Sequence, residues 1–281
     1  MLTKVEYYVI LLIIKEGIMK FVKSKKFTNG EVFALETFDN YPIEVTDTFL
    51  PYYTKDAIND NSNKLHNSTI GSRDERWMVG ISCMSGCPVN CKFCATGNLK
   101  KYRKLTSEEM VDQVKFVVNK EENQLYDPNR SKEFKINYTR MGEPFLNIES
   151  VRRAIEEINE SIPNTHHYIS TIGIRGSDFS WIEGNITLQI SLHSLNEERR
   201  DELIPFRNKM SIEELGQIRT KSKLKTTVNL TLVDDKDFDI ELLKKYFDPK
   251  YFFIKLSPIN VNEISECNAL GSGIISSRNI V

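Results

Sequence analysis

From Trp77 onward, short runs rich in Val, Ile, Thr and aromatic residues alternate with stretches of helical period. Trp77–Ser82, Phe134–Thr139, His167–Thr171, Thr187–Leu192, Thr226–Leu232 and Tyr251–Leu256 read as strands, since β-branched and aromatic side chains suit a pleated surface. Between them, Ser107–Asn119, Ile148–Ser161, Ser211–Lys221 and Ile240–Phe247 read as helices. The first opens with capping-box spacing, Thr106 to Glu109, and then places Met110, Val114 and Val117 on one face. Strands that alternate with helices pair in parallel through right-handed crossovers. Six such strands predict an α/β fold, an open or partly closed barrel, whose chemistry sits at the C-terminal ends of the strands.

Lys20 to Glu75 form a prelude in which Phe33–Glu36 and Ile43–Leu50 predict a small β-hairpin, followed by a polar linker at Asn59–Asn63. Further upstream, Val9–Ile14 is apolar but too short to span a bilayer, and no small-residue cleavage site follows it. The expectation is a cytoplasmic protein with no membrane association. Lys15-Glu16-Gly17, just before Met19, is what a purine-rich ribosome-binding site would encode if translated. The physiological start is therefore expected at Met19, with residues 1–18 a mis-annotated start; the competing reading is a genuine amphipathic element.

The 281 residues suffice to bury a full single-domain core. A net charge of −1, with 27% charged residues, supplies no overall basic field for nucleic acid, so only a local patch could serve. Asn98–Lys104, with Tyr102 interleaved among basic residues, is the candidate; a solvated loop ahead of a helix is the alternative.

Chemistry enters with Cys87-Pro88-Val89-Asn90-Cys91-Lys92-Phe93-Cys94, three cysteines at C-x3-C-x2-C spacing with an aromatic before the last. Three thiolates on one loop can hold three irons of a cubane iron–sulfur cluster, leaving the fourth iron open to a reacting molecule. Zinc sites ordinarily pair two knuckles or add histidines, and neither pattern occurs. Five cysteines in a chain of this length do not make a disulfide framework. Cys83 is at the wrong offset to be a ligand and reads as a small buried hydrophobe; Cys267 reads as an ordinary loop or core thiol.

Gly86-Cys87-Pro88 through Cys94-Ala95-Thr96-Gly97, Arg103–Thr106, Val111–Val114, Met141-Gly142-Glu143-Pro144, Ile169-Ser170-Thr171, Ile190–Ser194, Leu203-Ile204-Pro205 and Leu256–Asn260 follow in this order. As a set they resemble the RlmN/Cfr family of RNA-methylating radical SAM enzymes, from Trp77 to Asn260. The resemblance implies a partial (β/α)6 radical SAM barrel behind the small N-terminal β-hairpin extension. It divides the chain into an extension at 19–75, a radical SAM core at 76–262 and an incomplete C-terminal segment at 263–281. It implies a [4Fe-4S] cluster on Cys87, Cys91 and Cys94, shielded by Phe93, and S-adenosyl-L-methionine (SAM) on the open iron. Reduction would cleave SAM to methionine and a 5′-deoxyadenosyl radical. Gly142, Glu143, Ser170, Ser191, Leu192, His193 and Asn260 would line the SAM pocket, and the partners would be RNA and an electron donor such as flavodoxin or ferredoxin.

Departures accompany the match. Tyr138-Thr139-Arg140 stands where the family carries small or apolar residues, so that Arg140 either meets an anionic substrate or points to solvent. The family's general base is a glutamate before the Cys loop, and Glu44 is the nearest counterpart, with its spacing to Pro51 off by about two residues from the pattern. The family's methyl-carrying cysteine has no match up to Val281. The expected function is thus a radical SAM RNA (rRNA adenine) methyltransferase; the alternatives are a paralogue acting on another substrate, or a truncated SAM- and cluster-binding remnant. A zinc-structured RNA-binding module is a weaker third reading.

Overall fold

The computed structural model describes residues 19–52, 70–99, 101–231, 237–257, 259 and 261–270. Residues 1–18, the polar stretch Asn59–Asn63 and the candidate Asn260 lie outside the described residues. Among the described residues, nine strands form one sheet whose spatial order is the order of the chain: β1 (Met19–Phe27), β2 (Gly30–Thr37), β3 (Pro42–Leu50), β4 (Arg76–Ile81), β5 (Glu133–Tyr138), β6 (His166–Thr171), β7 (Ile186–Ser191), β8 (Thr226–Thr231) and β9 (Phe252–Ser257). Strands β1 to β4 pair antiparallel, and β4 to β9 pair parallel, which is the open α/β barrel that the alternation of patterns predicts.

The six predicted barrel strands are found within one or two residues of their expected bounds. The expected hairpin, by contrast, is a three-stranded meander that continues into the barrel sheet through β3 and β4. The unpredicted strand, β1, is masked by its lysines: all but Met19 of its residues are exposed, so no buried alternation marks it. Among the described residues the helices are α1 (Ser107–Val118), α2 (Ile148–Ser161), α3 (Glu197–Leu203), α4 (Ile212–Gly216), α5 (Ile240–Tyr246) and α6 (Glu263–Cys267). The predicted helix Ser211–Lys221 stops at Gly216, where a Cβ would come within 2.3 Å of the Tyr246 carbonyl oxygen. Lys221–Ser222 then pairs with Glu183–Gly184 as a short strand. Helix α3 lacks an apolar stripe; Asn196 caps it through the Arg199 N–H, and the buried Arg200 donates to the carbonyls of Met210 and Ile172. No helix among the described residues is long and apolar enough to cross a membrane.

Each barrel strand sends alternate residues to two different places. Trp77, Val79, Ile136, Ile169, Leu188, Ile190, Val228 and Leu230 are buried in the continuous apolar core. Met78, Lys135, Asn137, Tyr168, Gln189, Asn229 and Lys255 line a cavity on the concave side. That concave side is polar, unlike the Val/Ile/Leu filling of a closed eight-stranded barrel, and it is therefore built to hold a hydrophilic guest.

The meander is joined to the core by Asp47 on β3. Its fully buried carboxylate accepts from Trp77 Nε1 at 2.8 Å, Arg73 at 2.6 Å and Asn123 Nδ2 at 2.9 Å. Truncating it strands three donors in the interior. Asp47→Ala is expected to cost about 3–5 kcal/mol, the range for removing one partner of a buried ion pair, read as a lower urea midpoint in tryptophan fluorescence. A second prediction concerns His167, buried on β6 between Tyr138 Oη (3.2 Å) and Asn159 Oδ1 (3.1 Å). Burial pushes its pKa down to about 3. The unfolded chain, titrating near its usual value of about 6.5, then binds a proton that the folded chain does not. Stability contributed by neutral His167 is complete above the unfolded pKa and declines as pH falls from there toward 3. His167→Gln should flatten that decline in a pH series of urea melts.

Candidate active site

Strand β4 ends at Ile81, and the next three residues tie several segments of the site together. Ser82 exchanges two hydrogen bonds with the buried amide of Gln113, at 2.8 and 2.9 Å. Its hydroxyl donates to the Glu44 carbonyl at 2.7 Å and accepts from the Met141 N–H at 3.2 Å. The N–H groups of Cys83 and Met84 both donate to the Met141 carbonyl. Asn147 Nδ2 donates to the carbonyls of Cys83 (2.9 Å) and Leu105 (2.8 Å). Strand β3, the Met141–Glu143 turn and both ends of the cysteine loop therefore share one hydrogen-bonded knot.

Met84–Ser85 pairs antiparallel with Arg103–Lys104 and closes the base of that loop. Gly86 (φ +70°) is required there, because a Cβ would lie 2.6 Å from the Lys101 carbonyl oxygen. The loop's tip is held from outside: the Lys92 N–H donates to the Leu203 carbonyl at 2.9 Å, and Asn262 and Asn268 side chains donate to the Phe93 and Lys92 carbonyls.

Cys87, Cys91 and Cys94 are unpaired, half-buried and line one cavity of about 180 Å3. Burial pushes the Cys87 thiol up to about 12 and raises Cys91 far above its usual range, with neighbouring cysteines and Glu143 adding to both. Such a pocket cannot hold several bare thiolates, and it invites a cationic centre to neutralise them. No three His, Cys, Asp or Glu side chains among the described residues converge on a single ion. Sulfurs sharing one tetrahedral ion, with bonds of about 2.3 Å, must crowd together; sulfurs at separate corners of a cubane do not. The donor set fits a multi-iron cluster.

The same cavity brings together Gly142, Glu143, Ser170, Ser191 and His193, all expected from the sequence. Glu143 is buried; its two carboxylate oxygens accept from the Phe145 N–H (3.1 Å) and the Ile172 N–H (2.9 Å). Burial raises its pKa to about 7 against those hydrogen bonds. Gly142 (φ +104°) is needed for the approach of Met84, whose Cβ would lie 2.6 Å from an added methyl. Ser170 and Ser191, on neighbouring strands, have hydroxyls 3.1 Å apart. His193 Nδ1 accepts from the Thr231 N–H at 3.2 Å, its ring packs edge-on against Phe93, and burial pushes its pKa down to about 3, so the ring is neutral. Leu192 is different: it is fully buried in the core and lines neither cavity, so only its backbone is near the site.

A larger cavity of about 990 Å3 continues from the first, sharing Phe93, Cys94, Thr139, Arg140, Ser170 and Ser191. Glu44 reaches it from β3 and forms an ion pair with Arg140. Arg140, left open between substrate and solvent by the sequence, thus faces both cavities with a carboxylate partner already in place. The basic patch at Asn98–Lys104 loses a member, since Arg103 is bound by Glu109 (2.7 and 2.9 Å) and Asp39 (2.8 Å). Cys83 is buried against the Met141 carbonyl, and Cys267 is exposed on α6 and lines neither cavity. Ser82 and Asn147, which no motif singles out, and Arg140, left unassigned by the sequence, are among the residues that build the site.

Comparison with known proteins agrees with this arrangement. The family model of the radical SAM superfamily matches residues 81–247. A probable dual-specificity RNA methyltransferase RlmN from Chlorobium phaeobacteroides is 32% identical over 219 residues, covering 73% of this chain and 59% of that protein. Its namesake from Dictyoglomus turgidum is 34% identical over 186 residues, 63% of this chain and 49% of the relative. The chain thus spans about half to three-fifths of the length of these curated relatives. A radical SAM methyltransferase from Sphaerobacter thermophilus superposes with a TM-score of 0.66 over 93% of this chain and 73% of that one; at 22% identity it shows a shared fold.

Single alanine substitutions separate the cysteines. After anaerobic reconstitution, Cys87→Ala, Cys91→Ala and Cys94→Ala should each lose most bound iron and sulfide and the broad visible absorption of a cluster. Cys267→Ala should retain wild-type loading.

Proposed function

We propose, on the premise that this chain belongs to the radical SAM superfamily, that it is an RlmN-like enzyme that methylates an adenine carbon of RNA. The observation that carries the reading is one cavity, at the C-terminal ends of β4 to β7, that joins three unpaired cysteines to Glu143, Ser170, Ser191 and His193. In this reading Cys87, Cys91 and Cys94 hold the superfamily's [4Fe-4S] cluster, and the rest of the cavity holds SAM. Held there, the cluster would supply the electron for reductive cleavage of SAM, chemistry that belongs to the cofactor.

The residues of the chain do the positioning. Glu143 is fixed by two backbone N–H donors and keeps lone pairs free to accept from the SAM ammonium. Ser170 and Ser191 offer hydroxyls from adjacent strands, Leu192 its backbone, and Asn260 is assigned to the same pocket by its motif. Phe93 and neutral His193 pack together over the thiolates and keep water from them. The larger polar cavity receives the RNA base, with Glu44 as proton acceptor beside it. Arg140 pairs with that carboxylate and faces the same cavity. The electron donor is a flavodoxin- or ferredoxin-class protein, and the setting is the cytoplasm.

The test is anaerobic incubation of the reconstituted, reduced protein with SAM, with and without an rRNA fragment. Wild type should form 5′-deoxyadenosine and Cys91→Ala should lose nearly all of it; a C-methyl adenosine in the RNA requires in addition a thiol to carry the methyl group, a role for which no residue of this sequence has a match. Cleavage without RNA methylation would favour a paralogue with another substrate. Absence of 5′-deoxyadenosine from a protein with a full cluster overturns the radical reading.

A further inference from the structure

We propose that β1, the outer strand of the sheet, is a docking track for the phosphate backbone of RNA; this rests on the RNA reading above and adds the surface that captures the substrate.

The faces of the meander follow from its register. Strand β2 buries Glu31, Phe33, Leu35 and Thr37 on the helix side, so Val32, Ala34 and Glu36 lie on the other. Ala34 pairs with Glu44, Thr48 with Met78, and Met78 with Lys135, and these last residues line the larger cavity. The second face of the meander is therefore continuous with the concave side of the barrel. On β1, Lys20 stands opposite Glu36, Lys23 opposite Ala34 and Lys25 opposite Val32, all on that face.

In an unbroken strand Lys20 and Lys23, three apart, would face opposite ways. The ladder shifts between Phe21 and Lys23, so Val22 is the extra residue of a bulge that gathers the three lysines on the cavity side. Phe27, opposite Gly30, shares this face and is half exposed, with Lys25 Nζ 5.3 Å from its ring centre. At the other end, Lys20 Nζ lies 5.9 Å from the ring of Phe38, which is 78% exposed. Lys26 serves as the internal contrast: it falls on the helix side and is ion-paired with Glu122 at 2.6 Å. Lys20, Lys23 and Lys25 have no ion-pair partner among the described residues. The acidic groups on this face of the meander are Glu36 and Glu44, the latter taken by Arg140.

Lysines on an edge strand also discourage edge-to-edge pairing. That purpose is met on either face, and it requires neither a bulge that aligns three of them nor two exposed aromatic rings beside them. A cationic track with aromatic platforms is how single-stranded nucleic acid is held without reading its sequence. Here the track leads along one continuous face to the cavity where the base would react, in a protein whose net charge is −1. The attraction is local.

The experiment measures anisotropy of a fluorescent RNA hairpin with an adenine-containing loop, titrated with the cluster-loaded protein at several salt concentrations. Each single-strand phosphate contact contributes about 0.7 to the slope of log K against log salt, so losing three should reduce it by about 2 and weaken binding about a hundredfold at 0.1 M salt. The combined variant Lys20→Ala, Lys23→Ala, Lys25→Ala should show this loss, while Lys26→Ala binds as wild type and both cleave SAM normally without RNA. Wild-type RNA affinity in the combined variant overturns the proposal, as does an equal loss in Lys26→Ala. Increased aggregation with unchanged RNA affinity also overturns it and leaves edge protection as the lysines' role. A wild-type protein that cleaves SAM yet binds no RNA sinks the RNA reading itself, and the track with it.

Discussion

The hydrogen-bonded knot at Ser82 and Cys83 is the constraint on which the site depends. Three thiols and a buried carboxylate have to meet in a single cavity, and they come from segments far apart in the chain. Ser82 joins β3 to the Met141 turn through one hydroxyl, and Gln113 fixes its backbone from α1. Asn147 then closes the cysteine loop by bonding the carbonyls on either side of it. Every one of these partners is buried or half-buried, so breaking one leaves an unpaired polar group without water to replace it. The knot is rigid for that reason, and the loop it holds is aimed rather than merely tethered.

Around this fixed point the sheet divides its labour by side-chain parity. One set of alternating residues builds the apolar core under α1 and α2, and the other lines a polar trough. The apolar set supplies the stability that lets the trough remain open and hydrophilic. Where trough and cysteine loop meet, Phe93 and Cys94 stand beside the polar Thr139, Arg140, Ser170 and Ser191. Phe93 and His193 pack edge-on beside the thiols in one cavity, and burial keeps His193 neutral and drives the Cys87 and Cys91 thiols to resist ionisation. A cationic cluster relieves that resistance, so burial of the cysteines and affinity for metal are two sides of one arrangement.

Much of this was legible in the sequence because it rests on local patterns. The barrel strands announce themselves by composition, and α1 by its capping box, which is formed as the spacing of Thr106 and Glu109 requires. Glycines at 86 and 142 mark backbone that cannot carry a side chain, and Gly142 lines the cysteine cavity while leaving room for Met84. What stayed hidden depends on contacts across the fold. Strand β1 carries no buried alternation to mark it until β2 pairs with it; α3 is held by one buried arginine and not by a stripe; Leu192 shares a motif with pocket residues yet is buried in the core. Arg103 looked like part of a nucleic-acid patch and is instead clamped by two carboxylates. The pairing of Arg140 with Glu44 joins two strands separated by β4, a relation that no short window of sequence contains.

We propose that Cys87, Cys91 and Cys94 hold a cluster to which SAM binds directly. Electron paramagnetic resonance of the reduced, reconstituted protein tests it directly, with SAM labelled by 17O in its carboxylate. The account predicts a [4Fe-4S] signal that shifts on addition of SAM and shows hyperfine coupling to the label. A signal indifferent to SAM, or a protein that takes up zinc and no iron or sulfide, would contradict it.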